Sequence, residues 1–332
     1  MIGVKKLKGL AAAALMAAAF LAAGCSGGQA DARGEKTYHV GIVQWVEHRA
    51  LNAAGRGVVD GLKERGFEEG KNLTIDRQDA QADPSNLQNI ARRFVSARLD
   101  LICAIATPAA QTMANAAKDI PILGTAVTDY ERAGLVKSNE KPGGNISGTS
   151  DMNPVREQVD LLLKLKPEAR VIGTIYSAGE INSEVQVKAM TEYAESKGLT
   201  VKAAAVAAVE DVPQAARSLA GAVDAFYEPT DNGIASVMPA LVGITNAAGV
   251  PVICGEPNMV KAGGLATYGI DYYKLGLQTG HMAADVLEGK VRTAALPVEQ
   301  ARDLKVFVNK RTAELLGIRI SEELLRTAEV VE

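Results

Sequence analysis

From His39 onward, short runs of aliphatic and β-branched residues alternate with stretches in which apolar side chains return every third or fourth position. HVGIVQ (39–44) predicts a strand. The spacing of Leu51, Val58, Val59 and Leu62 predicts a helix over 49–66 that stops at Gly66, a residue suited to the left-handed turn in which helices commonly end. NLTIDRQDA (72–80) predicts the second strand, Pro84 and Ser85 open a helix to Ala97, and LDLICAIA (99–106) predicts the third strand. Thr107-Pro108 starts the next helix, where a proline's missing N–H is harmless, and IPILGTAV (120–127) is the fourth strand.

A stretch rich in Gly, Pro and Asn follows, GLVKSNEKPGGNISGTSDMNP (134–154), and then the same rhythm restarts. Strands are predicted at RVIGTIYS (170–177), LTVKAAAV (199–206), VDAFYEPT (223–230), PVICG (251–255) and GLATYGIDY (264–272), with helices over 181–197, 211–220 and 232–248 between them. A helix over 274–288, a strand DLKVFVN (303–309) and a helix over 311–327 complete the chain. Strict alternation implies right-handed βαβ units and parallel sheets. The expected fold class is α/β, two doubly wound parallel-sheet lobes joined by a hinge at the Gly-rich stretch, with ligand binding beyond the carboxyl ends of the strands.

The N-terminus changes the picture of where such a molecule works. Lys5, Lys6 and Lys8 precede an apolar run over 9–23 that exits through Leu21-Ala22-Ala23-Gly24-Cys25. The run is too short to span a bilayer and has the layout of a secretory signal. Its exit resembles the bacterial lipobox, which implies cleavage after residue 24, acylation of Cys25 and membrane anchoring, with 25–36 as a flexible tether. Removing the first 24 residues takes the formal net charge from -3 to -6, since they hold three lysines and no acid. That charge gives no electrostatic footprint for nucleic acid.

Of three cysteines, Cys103 and Cys254 lie in apolar runs and read as small core residues, with a disulfide between them left open; with three histidines they offer no zinc spacing, so neither metal nor cofactor is expected. No GxSxG or GxxxxGK[ST] motif occurs, and Gly55, Gly57 and Gly61 fall inside a helix, where they read as packing residues rather than a dinucleotide loop.

Polar residues at strand ends are the candidate chemistry: Gln44, Glu47 and His48; Thr107; Thr128 and Asp129; Ser177, Asn182 and Ser183; Thr230, Asp231 and Asn232; Glu256; and Asp271. Hydroxyls and helix-start N–H groups can hold a carboxylate while an acid holds an ammonium, which suits an amino acid. The same residues are also the preferred helix N-caps, and each reading stands at each position. Trp45, Tyr130, Tyr176, Tyr227, Tyr268 and Tyr272 crowd near the same ends and could stack on a ligand or fill the core.

Eight stretches in order carry a family resemblance: GIVQWVEH with Asn52, NLTIDRQDAQADPSNLQ, AIATPAAQ, TAVTD, GLVKSNEKPGGNISGTSD, IYSAGEINSEVQV, YEPTDN and GEPNMVKAGGLATYGIDYYKLG. Over residues 38–310 the chain resembles ABC-transporter substrate-binding lipoproteins of the tryptophan/tyrosine-binding type, with a type I periplasmic-binding fold. The resemblance implies cleft residues at Glu47, Thr107, Thr128, Asp129, Ser177, Asn182, Asp231, Asn232 and Asp271; Gln44 and His48 join them from the strand-end reading. It also implies three crossings between lobes, so that 37–148 with 270–292 would form the first lobe and 149–269 with 293–332 the second. A non-enzymatic, monomeric receptor is implied, handing an amino acid, aromatic by preference, to an ABC permease outside the cytoplasm. The competing readings are a ligand sensor for a membrane receptor and a secreted α/β enzyme.

Overall fold

The computed structural model describes residues 36–302 and 304–331, so the signal segment, Cys25 and nearly all of the tether lie outside the described residues. The first series forms β1 (Tyr38–Gln44), α1 (Arg49–Glu64), β2 (Leu73–Asp79), α2 (Pro84–Ala97), β3 (Leu101–Ile105), α3 (Thr107–Ala116), β4 (Ile122–Val127) and β5 (Ile146–Ser150). The second runs α4 (Val155–Leu165), β6 (Val171–Ser177), α5 (Ile181–Ser196), β7 (Thr200–Val206), α6 (Val212–Ala220), β8 (Ala225–Glu228), α7 (Asn232–Ser236), α8 (Met238–Ala247), β9 (Val252–Cys254), α9 (Pro257–Lys261) and β10 (Ala266–Gly269). The chain closes with α10 (Tyr272–Leu287), β11 (Glu299–Gln300), β12 (Lys305–Asn309), α11 (Lys310–Leu315), α12 (Glu322–Thr327) and β13 (Glu329–Val331).

Two sheets result, ordered β11-β5-β4-β3-β1-β2 and β13-β12-β10-β9-β8-β6-β7. All pairings are parallel except β10 with β12, the one departure from the expected topology. The central strands β3 and β4 are apolar and buried along their length, because helices cover both faces.

The chain passes between sheets after β5, after β10 and after β11. The Gly-rich stretch that reads as a hinge therefore contains the fifth strand of the first sheet, and residues 299–300, grouped with the second lobe by sequence, pair with it as the sixth. Sheet membership changes within 151–154, at 270–271 and between β11 and β12. The helix expected over 232–248 breaks at Val237, ahead of Pro239, and that expected over 311–327 is two short helices.

Helix α10 packs on α1 with almost no space between backbones. A Cβ on Gly276 would lie 2.0 Å from the Ala54 carbonyl oxygen, and one on Gly57 would lie 2.1 Å from that of Tyr273. Gly61 and Gly280 repeat the arrangement one turn along. The two helices start side by side at the end of the first sheet, His48 capping position for one and Asp271 for the other.

Cys103 and Cys254 are buried, free thiols in different sheets, so no disulfide links them. Among the described residues no helix is long and apolar enough to cross a membrane.

Candidate functional site

The ends of β4, β5 and α1 in the first half face those of β6 and β8 in the second, and the gap between them is where charge is concentrated. Strand β4 carries an irregularity between Gly124 and Val127, where Ala126 takes φ +54. Such a bulge turns the following residues off the sheet. Here it delivers Thr128, whose hydroxyl donates to Asp151 Oδ1 at 3.0 Å.

Asp151 leaves the end of β5 and is 3% exposed. Its other oxygen accepts from Tyr272 Oη at 2.7 Å. Burial pushes its carboxyl above the usual aspartate range, against the pull of those two hydrogen bonds. An ionised carboxylate offers about four acceptor positions, so Asp151 keeps lone pairs for something else.

Asp231 and Glu180 differ. Asp231 accepts from Ser177 N, Ser177 Oγ, Ser183 Oγ and Ile234 N at 2.6–2.8 Å, capping α7 and filling its acceptor capacity. Glu180 accepts from Asn182 Nδ2, Asn232 N, Asn232 Nδ2 and Gly233 N, and burial beside the Asp231 charge lifts its pKa to about 7. Both acids thus hold the β6 and β8 loops in place. Glu256 caps α9 through Asn258 N and Met259 N, and burial lifts it to about 7.

Across the gap, His48 Nε2 approaches Asn232 Oδ1 at 3.4 Å. Burial depresses this imidazole to about 4, so it is neutral at pH 7. Gln186 on α5 makes the second cross-contact, reaching Thr128 Oγ1 at 3.5 Å while donating to Thr230 Oγ1 at 2.5 Å. These groups surround a narrow space bounded by His48, Thr128, Asp151, Asn182, Thr230, Asp231, Asn232, Glu256 and Tyr272, with Leu51, Ala126 and Ala235 as its apolar wall. The space has a volume of about 10 Å³, room for roughly one water molecule.

The sequence-derived candidates therefore divide. His48, Thr128, Asn182, Asp231 and Asn232 come together around the cavity, and Ser177 stands behind Asp231. Thr107 is buried at the start of α3, its hydroxyl without a partner, but does not line the cavity. Four candidates are placed elsewhere. Gln44 turns toward the β2 edge, donating to Asn52 and Asp79 at 3.0 and 2.7 Å. Glu47 is exposed at the cleft mouth. Asp129 caps the turn that follows β4, accepting from Glu131 N and Arg132 N. Asp271 is exposed, accepts from Lys274 N as the cap of α10, and borders a separate cavity.

Asp151 and Glu180 are missing from the candidates read by sequence. Asp151 hides behind a strand of Ser, Thr and Gly with no apolar run, and Glu180 sits in a loop without cap signature; an acid between a hydroxyl-rich run and Pro154 was the available signal. Tyr130 and Tyr227 are core residues whose hydroxyls bond Thr149 O and Gln158 Oε1. Glu228 is fully buried on β8; Oε1 accepts from Ile175 N, Oε2 has no partner, and burial pushes its carboxyl well up. Among the described residues no cluster of His, Cys, Asp or Glu could hold a metal.

Comparison with known proteins agrees with this geometry. A family model described as "ABC transporter substrate binding protein" matches residues 39–332. The tyrosine-binding protein of Clostridioides difficile (strain R20291) is 42% identical over 96% of this chain and 94% of its own. The ABC domain from Streptococcus pneumonia, solved in complex with L-Trp, superposes with a TM-score of 0.87 at 38% identity, covering 90% of this chain and all of that one. A substrate binding protein with adhesive properties from Clostridium difficile, in its ligand-free, open form, is 43% identical over 89% of this chain and 99% of its own, yet superposes at only 0.69. The more similar sequence gives the poorer superposition, so the halves here are arranged more like those of the L-Trp complex than like those of the ligand-free, open form.

Proposed function

Because the chain belongs to the ABC transporter substrate binding protein family, we propose that it is the extracytoplasmic receptor for an aromatic amino acid, which it traps between its sheets and delivers to a membrane permease. The family is one of binding proteins, not enzymes, and nothing in the cleft has to react.

The observation that carries the ligand class is Asp151. It is a buried carboxylate with unfilled acceptor positions, beside a cavity whose other acids are committed to backbone caps, and among the described residues it is in no ion pair. An α-ammonium group supplies a cation through a charge-assisted bond. The unpartnered Thr107 hydroxyl and the first N–H groups of α3 lie outside the cavity in this arrangement and are suited to the carboxylate once the halves re-form around a solute. Tyr272, Leu51 and the His48 ring offer the faces that an aromatic side chain would contact.

A space for one water cannot hold an amino acid, so loading requires the halves to part and the cleft to re-form around the solute. The ligand then favours the closed arrangement by touching both halves at once. Acylation at Cys25 would keep a monomeric receptor beside its permease.

A thermal-shift screen of the mature protein against the amino acids tests this. L-Tyr and L-Trp are expected to give the largest rise in Tm, while tyramine, which lacks the carboxylate, and 4-hydroxyphenylpropionate, which lacks the ammonium, give little. A rise confined to sugars, or equal rises for the two truncated analogues, would remove the proposal.

A further inference from the structure

Beside the crossing at Ile270–Asp271, a second cavity of about 480 Å³ opens along the seam between the sheets. Its walls come from both halves. Arg49 and Arg56 project from α1, Lys261 ends α9 and Lys305 begins β12, with Lys274 on the first turn of α10. Two carboxylates share the space: Asp271 is committed to capping α10, and Glu329 lies 3.6 Å from Lys305 Nζ. Arg49, Arg56 and Lys261 are in no ion pair among the described residues.

Five cations against two acids is the opposite of the chain's own balance of -3. The start of α1 adds to the field, because it has neither an acidic residue in its first turn nor a side-chain cap, leaving its amide end uncompensated. Like charges gathered in one concavity repel unless a counter-ion joins them, and guanidinium groups bind oxyanions in a two-point fashion that scattered surface lysines do not.

We infer that this cavity is a binding site for a small multivalent oxyanion, of the phosphate or polycarboxylate class, held by Arg49 and Arg56 from one half and Lys261 from the other. An anion gripped from both sides binds the closed arrangement better than the open one. It therefore acts as an effector of closure, distinct from the solute in the acidic cleft. The inference does not rest on the amino-acid reading, since the anion is titrated alone.

The test is calorimetric and thermal-shift titration of the mature protein, without amino acid, using inorganic phosphate and citrate in turn, against sodium chloride at matched ionic strength. Saturable binding of one or both beyond the chloride control is expected, and the stronger of the two identifies the anion class. Arg56→Gln and Lys261→Gln, both exposed and therefore without folding consequence, should each weaken it at least fivefold. Shifts that match chloride would overturn the site. Full binding in Lys261→Gln would overturn its bridging of the two halves, and with it the role in closure.

Discussion

Replacing Asp151 with Asn separates binding from folding, because the two should move in opposite directions. In the folded protein, burial raises the carboxyl above its unfolded value of 3.8. A raised acid costs stability: as pH climbs past the unfolded value, the unfolded chain ionises freely while the buried group resists, so the folded state loses ground until its own pKa is passed. Asn removes that cost, and its amide can still accept from Tyr272 Oη, with the Thr128 hydroxyl turned to accept instead of donate. The ligand-free variant should therefore melt no lower than the parent at pH 7.5, with any advantage shrinking toward pH 4. Binding should suffer. Removing one partner of a buried charge pair typically costs about 2–5 kcal/mol, or roughly 30- to 4,000-fold in Kd. Calorimetry with L-Tyr or L-Trp measures the affinity, and scanning calorimetry without ligand measures the stability. A Kd within threefold of the parent would refute the placement of the ammonium. A lower Tm at pH 7.5 would refute the account of what Asp151 costs.

Other expectations follow from the same structure. His48 must be neutral in the closed cleft, with a pKa of about 4 against 6.5 when solvated, so closure is favoured above 6.5 and lost as pH falls toward 4. Affinity should weaken up to about 20-fold from pH 7 to pH 5, and His48→Gln should flatten that profile; a profile unchanged by the substitution would exclude His48 as its source. Gly276→Ala forces a methyl to 2.0 Å from a backbone oxygen that cannot swing aside, and should cost about 3 kcal/mol in chemical denaturation. Glu228→Gln copies the protonated form that burial favours, so its stability relative to the parent should grow as pH rises from 4.5 to 8 in urea titrations; a constant difference would contradict it.

Much of the architecture was legible because buried parallel strands such as LICAI and ILGTAV advertise themselves as apolar runs. Strand β5 does not. Its side chains bond to one another and to neighbours, Thr149 Oγ1 to Thr279 Oγ1 at 2.7 Å and Ser147 Oγ to Leu296 O at 2.6 Å, so a hydroxyl-rich sequence is buried without hydrophobic periodicity. Losing that strand meant losing Asp151, and with it the boundary between halves. The cap residues show a different limit. Asp231 and Asp271 carry the same signature, an acid ahead of a helix, and both do cap. Which one also borders the closed cavity depends on how the sheets oppose each other, a relation between residues far apart in the chain. Glycines were informative where they recurred four apart: Gly57 and Gly61 meet Gly276 and Gly280, though the partner helix could not be read from either alone.

The chamber sized for one water has a kinetic corollary. A solute too large for that space is held only while the halves stay around it, so its dwell time is coupled to the waiting time for them to separate. Stronger contacts would lengthen that wait only by steadying the joined state. A transport partner that pulled the halves apart would thus collect its cargo without competing for a single one of those contacts.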